Sequence, residues 1–334
     1  MTTVLDVAKR AGVSSATVSR VLSGKDSVSE AARTRVMEAV NAFGYRPNAM
    51  AQGLRLGRAR SVALVVGDIE QGVYAALTKH VQAELEEIKR SLVLFNMQHR
   101  EDRLSDLLRN AKAMGLSALI IAAPHILSAA LEAELDELGR SGIAAILCGQ
   151  RLKRSALPSI MEEDAPLAAR AVEHLALKGH KPIAFLGRIS DSMVGRERYF
   201  GYRTALAKHG LALDPELVWD TTERYRYAAG SEAMRQALER GLEFRGVLAA
   251  SDELALGAMA AALDRGLKIP DDIAFIGFGG NPWCEYVRPS LTTVAADMRE
   301  AGRLVRDILI AIEEGRAPPR AATLPAVLAL RASA

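Results

Sequence analysis

The sequence predicts a mixed fold: a small all-α helix-turn-helix head followed by a larger two-lobed α/β core with parallel sheets. Three observations carry that expectation. In "TVLDVAKRAGVSSATVSRVL", residues 3–22, two short runs of helically spaced apolar residues flank a turn at Gly12. From Ser61 onward the pattern becomes short apolar strands alternating with amphipathic helices. The charge is divided as well: the first sixty residues hold six more basic than acidic side chains, and the chain total of +3 leaves the remainder at −3. A basic head on a mildly acidic body is the layout of a protein whose head alone meets a polyanion.

A length of 334 residues, 49% of them hydrophobic, suits two or three domains with packed cores. No apolar run is long enough for a bilayer, and the N-terminus lacks the basic and apolar stretches of an export signal, so a cytoplasmic protein without a membrane partner is expected. Cys148 and Cys284 are widely separated and belong to no CxxC or Cys/His cluster, which reads as two buried thiols rather than a disulfide or zinc site.

In the head, Thr3 is placed to cap a first helix through Ala11, with Asp6 in the first turn where a carboxylate suits the helix dipole. Ser14 or Ser15 caps a second helix through Leu22, with Val18, Val21 and Leu22 inward and Ser15, Ala16, Ser19 and Arg20 outward. A third helix from near Ser29 to about Phe43 turns Ala32, Val36, Val40 and Phe43 inward. Small side chains at the start of the second helix let a backbone approach base edges, and Arg20 can fork onto a guanine.

In the body, "SVALVV", "SLVLFN", "SALIIAA", "AAILC", "PIAFLG", "GVLAAS" and "IAFIGF" alternate with helices near 74–89, 102–113, 128–140, 165–178, 196–209, 228–239 and 252–265. Strands that are apolar throughout imply parallel sheets covered on both faces, with ligands received at the carboxyl ends of the strands.

The strings "LDVAKRAGVSSATVSRVLSG" and "VSEAARTRVMEAVNAFGYRPNAMAQGLR" resemble the DNA-binding head and hinge of the lactose-repressor (LacI/GalR) family of bacterial transcription regulators. That resemblance implies base reading by Ser15, Ala16 and Arg20, and phosphate or positioning contacts by Thr3, Ser14, Thr17, Ser19, Ser23 and Tyr45. It also implies a hinge helix over Pro47 to Arg55 whose Leu54 enters the minor groove of the operator.

The segments "AVEHLALKGHKPIAFLG", "GRERYFGYRTAL", "ASDELALGAMAAALDRGLKIPDDIAFIGF" and "PSLTTV" resemble the same family's core, which is periplasmic-binding-protein-like. The implied organisation is a DNA-binding domain at 1–46, hinge and linker at 47–60, and a core at 61–334. By that analogy the chain crosses between lobes near 161, 292 and 321, giving an N-lobe of about 61–161 and 293–320 and a C-lobe of about 162–292 and 321–334. No heptad-bearing tail follows Leu330, so a homodimer on a double-stranded operator is expected.

For the effector, the resemblance points to Arg198, with Arg196 secondary, to Tyr74 and Tyr225 from opposite lobes, to Trp283 and to Asp252, while Ser251 stands where the family usually has Asn. Two family carboxylate positions read Gly279 and Gly149 here. Losing two acids while keeping Arg198 predicts a more cationic pocket and an anionic effector, a sugar acid such as gluconate or a sugar phosphate.

Catalytic motifs are missing. "GFGG" at Gly277 to Gly280 is no full GxGxxG, there is no GxSxG or Walker string, and the six histidines show no metal spacing. Paired acids such as Glu162/Glu163 read as solvated faces. No enzyme activity, cofactor or metal is therefore expected, and a repressor is the leading reading. The alternative is a solute-binding or sugar-processing protein carrying a DNA-binding head.

Overall fold

The structure, a computed structural model, describes residues 3–22, 28–45, 61–123, 127–152, 155–221 and 225–334. The chain divides into two units, Met1–Arg60 and Ser61–Ala334. Ser23, Leu54 and the expected hinge lie outside the described residues.

In the head, α1 (Val4–Ala11), α2 (Ser15–Leu22) and α3 (Glu30–Phe43) follow the predicted order. α1 opens with a capping box: the Asp6 amide donates to Thr3 Oγ1 at 3.3 Å, and the Thr3 amide and hydroxyl each donate to Asp6 Oδ2 at 2.8 Å. The Thr3 amide and then its hydroxyl hold Asp6 below the usual carboxylate range. Gly12, at φ +63°, closes α1 in the left-handed conformation that glycine adopts at least cost. Ser14 is the cap of α2, its Oγ accepting from the Thr17 amide at 3.1 Å. Val7, Ala8, Ala11, Val18, Val21, Val36 and Ala39 form the small core. Of the expected inward residues, Leu22 and Val40 are only partly buried against it and Phe43 is 38% exposed, lying beneath Arg10 at 5.1 Å. Ala39, one helical turn earlier on α3, is buried at 2% exposure.

The body holds two sheets. The first contains β1 (Ser61–Val66), β2 (Ser91–Asn96), β3 (Leu116–Ala122), β4 (Ala144–Cys148), β5 (Ser159–Met161) and β11 (Ala321–Thr323), in spatial order β11-β5-β4-β3-β1-β2. The second contains β6 (Ile183–Gly187), β7 (Val218–Asp220), β8 (Gly246–Ala249), β9 (Ala274–Phe278), β10 (Thr292–Ala296) and β12 (Ala326–Ala329), in order β12-β10-β9-β8-β6-β7. Among the described residues every pairing is parallel except β10 with β12.

α4 (Gly72–Glu87) and α11 (Met298–Glu313) cover one face of the first sheet, where Tyr74, Leu77, Val81 and Leu85 meet Ala301, Val305, Ile308 and Leu309. α5 (Glu101–Asn110) and α6 (Ala129–Arg140) cover the other. The second sheet is wrapped by α7 (Asp164–Leu177), α8 (Met193–Lys208), α9 (Tyr227–Glu239) and α10 (Asp252–Asp264). α9 and α10 touch backbone to backbone, since a Cβ on Gly257 would stand 1.9 Å from the Tyr227 carbonyl oxygen.

Three segments join the lobes. β10 belongs to the second sheet and β11 to the first, so the second and third crossings fall just after Ala296 and just after Thr323, a few residues beyond 292 and 321. The motif "PSLTTV" runs into a strand of the C-lobe instead of ending it, which moves the boundary. The crossings are bonded to one another: the Leu324 amide donates to the Met161 carbonyl at 2.7 Å and the Asp297 amide to the Pro325 carbonyl at 2.8 Å.

Candidate functional site

Two places carry residues arranged for recognition. In the head, α2 leaves Ala16, Ser19 and Arg20 exposed, with Ser14 exposed before it and Ser15 and Thr17 half-buried. Val18 and Val21 anchor the opposite side in the core. Thr3 stays at the surface as the cap of α1, whereas Tyr45 is half-buried against the core. Ser14 and Thr17 share a hydroxyl hydrogen bond of 2.9 Å, which fixes both oxygens at the start of α2. A helix so anchored, with small residues and an arginine outward, has the form that enters a major groove.

The body has a cleft between its lobes, enclosing a cavity of about 120 Å³. Of the sequence-predicted residues, Tyr74, Arg198, Tyr225, Ser251, Asp252 and Gly279 line it, and so does Gly149. Arg198 reaches it because α8 starts hard against the loop after β6: a Cβ on Gly195 would lie 1.7 Å from the Arg188 carbonyl oxygen. The Ser192 hydroxyl caps α8 through the Gly195 amide at 3.2 Å and lies 3.1 Å from the Tyr225 hydroxyl, so the same cap positions that ring.

Arg198 is already partnered. Its Nε donates to Asp164 Oδ1 at 2.7 Å, its Nη1 donates to the Ala250 carbonyl at 2.8 Å, and Glu162 Oε2 stands 4.0 Å from Nη2. The guanidinium carbon lies 3.9 Å from the centre of the Phe278 ring. Burial works against its charge, and Asp164 and Glu162 more than offset this, so its pKa is raised. Burial, then the Asp164 charge, lifts the Glu162 carboxyl to about 7 against the pull of Arg198. Asp252 is lifted to about 6 by burial, although it accepts from Thr293 Oγ1 at 2.5 Å and from the Asn281 amide at 2.6 Å. The expectation of a cationic pocket therefore fails: the arginine meets a carboxylate within the protein, and Glu162 and Asp252 share the same lining.

Arg196 and Trp283 do not join the site. Arg196 is exposed and donates to the Ile189 and Ser190 carbonyls at 3.0 and 2.5 Å, tying down the loop before α8. Trp283 is 63% exposed on a short turn, Pro282–Glu285, that carries it away from the cavity. Gly279 adopts φ +128°, and a Cβ there would meet Asp252 Oδ2 at 3.4 Å, so an acid at this position would crowd a second carboxylate.

Sequence reasoning missed Gln71, Glu162, Glu253, Phe278 and Asn281 in the lining. Glu162 was read as part of a solvated pair, yet it follows β5 directly at the carboxyl end of a strand, which is the available signal. Among the described residues no group of three His, Cys, Asp or Glu is placed to hold a metal ion, and no helix is long and apolar enough to cross a membrane.

Residues 3–48 match the family described as bacterial regulatory proteins, lacI family, and residues 172–334 match the periplasmic binding protein-like domain. The chain is 35% identical over 313 residues to the HTH-type transcriptional regulator AscG of Escherichia coli (strain K12), covering 91% of each chain. Among solved structures, it resembles the lac repressor dimer bound to operator and the anti-inducer ONPF, with a TM-score of 0.86, 26% identity and 99% and 98% of the two chains covered. It also resembles the complex of the transcriptional regulator CelR with cellobiose, with a TM-score of 0.74, 28% identity and 100% of each chain covered.

Proposed function

The chain belongs to the lacI family of bacterial regulatory proteins, and from that premise we propose that it is a repressor that binds a pseudo-palindromic operator as a homodimer and releases it when a small sugar occupies the cleft. Ligand-responsive transcription regulation is what the family does; the sign of the switch, the base readers and the effector class are this reading's own. It is carried by one observation: a helix with Ala16, Ser19 and Arg20 outward stands in the same chain as a cavity of about 120 Å³ lined from both lobes. Ser15, Ala16 and Arg20 read bases, while Thr3, Ser14, Thr17, Ser19, Ser23 and Tyr45 orient the head on phosphates. Leu54 is assigned the minor-groove wedge.

The effector is a neutral sugar of one ring in preference to a sugar acid or sugar phosphate. An anion has to compete with Asp164 for Arg198 and to approach Glu162, whereas sugar hydroxyls donate to carboxylates and lay their apolar face on Tyr74, Tyr225 or Phe278. The cavity compares with an engineered one of about 150 Å³ that holds a benzene, so a single six-membered ring is the matching size. The CelR structure is a complex with cellobiose, a neutral sugar, which supports the neutral class.

Operator-fragment binding across a salt series, with and without panels of neutral monosaccharides, sugar acids and sugar phosphates, tests the reading. A steep salt dependence shifted by a neutral monosaccharide is expected. A shift by an anion alone restores the sugar-acid class. Absence of specific DNA binding returns the solute-binding alternative.

A further inference from the structure

α4 begins without a cap of its own, because Gln71 precedes it in an extended conformation and makes no side-chain capping bond. The first amide of the helix, that of Gly72, donates instead to Glu253 Oε1 at 3.0 Å, a partner 181 residues away on the other lobe. Glu253 is 5% exposed and sits in the first turn of α10, so its carboxylate lies at the N-termini of two helices from opposite lobes, each favouring negative charge there. Asn281 Nδ2 donates to the same oxygen at 3.2 Å, and Asn281 is itself held by its amide on Asp252 and by its Oδ1 on the Trp283 amide. The fit leaves no spare room, since a Cβ on Gly72 would stand 2.4 Å from Asn281 Nδ2. Nearby, Arg226 of the C-lobe lies 3.6 Å from Asp68 and 3.7 Å from Glu70 of the N-lobe.

We propose that Glu253 is a positioning residue that caps α4 from the opposite lobe and so holds the cleft closed before any effector arrives. The helix it caps carries Tyr74 and Leu77, which form one wall of the cavity. Opening the lobes strips the cap from α4 and leaves the Gly72 amide without its side-chain acceptor, while Glu253 keeps only its bond from Asn281, so closure and capping are one event. The geometry stands without the effector assignment; only its consequence, a cavity shaped in advance for its ligand, rests on reading the cleft as the effector site.

Amide hydrogen exchange of the full chain without added ligand tests this. In the wild type, the peptide spanning Gly72 to Tyr74 should exchange slowly. E253A should accelerate it about tenfold or more while peptides from β6 and β8 keep their protection, and E253Q, which retains an accepting oxygen, should stay near the wild type. G72A attacks the contact from the other lobe, and its methyl must displace Asn281, so it should match E253A; it carries the test if E253A fails to fold. Wild-type rates at Gly72 to Tyr74 in E253A and G72A overturn the proposal, and so does acceleration spread evenly over the body, which marks a residue of general stability only. Neither outcome bears on whether the protein binds operator DNA.

Discussion

Arg198 and Asp164 form a nearly dry ion pair, joined at 2.7 Å with side chains only 11% and 7% exposed. Breaking such a pair is costlier than never having built it, because the survivor keeps its charge without a partner. Arg198→Met should therefore destabilise the body by about 3 to 5 kcal/mol, and adding Asp164→Leu should recover a large part of that loss. Urea unfolding of the two variants checks this. Equal midpoints for the single and double variants would remove the coupling.

Glu162 makes the stability of the body depend on pH. Its carboxyl is raised from 4.5 to about 7 in the fold, so the folded chain holds this proton more tightly than the unfolded one. The stabilisation is fully present below pH 4.5 and is lost as pH climbs to about 7. Glu162→Gln, a neutral mimic of the protonated acid, should flatten that decline and raise stability at pH 8 by about 1 to 3 kcal/mol. Melting curves at several pH values compare the slopes, and parallel slopes for the two proteins would reject the assignment.

In the head, Arg20→Ala should cost about 1 to 3 kcal/mol of operator affinity and relax preference at one base pair. Competition between operator variants measures it. An unchanged ranking would reduce Arg20 to a phosphate contact.

Trp283→Ala should leave the effector response within about twofold of the wild type, because a side chain 63% exposed and outside the cavity loses little on ligand binding. Titration of the operator complex with effector decides it, and a large loss would return Trp283 to the site.

The long elements of this fold were legible because each repeats its period several times: α1 to α3 and the apolar strands β1, β2 and β4 lie where the pattern put them. β5, β7 and β11 have three residues each, too few for any period to register. In the cleft, the arginine was readable from "RERYFG", but its carboxylate partners were not. Asp164 lies 34 positions away, and pairing at that separation is decided by how α7 and α8 pack. One misreading followed directly, since an arginine counted as free charge turned out to be matched. Trp283 failed for a related reason: residue type suggested a ligand platform, while the turn after Asn281 sets the direction of the ring.

The stitched crossings give the two lobes a shared mechanical behaviour. With Leu324 bonded to Met161 and Asp297 to Pro325, the three connecting segments cannot twist separately without breaking their mutual bonds. A lobe movement that bent one strap alone would have to break one of these bonds, so the straps are expected to move as a set.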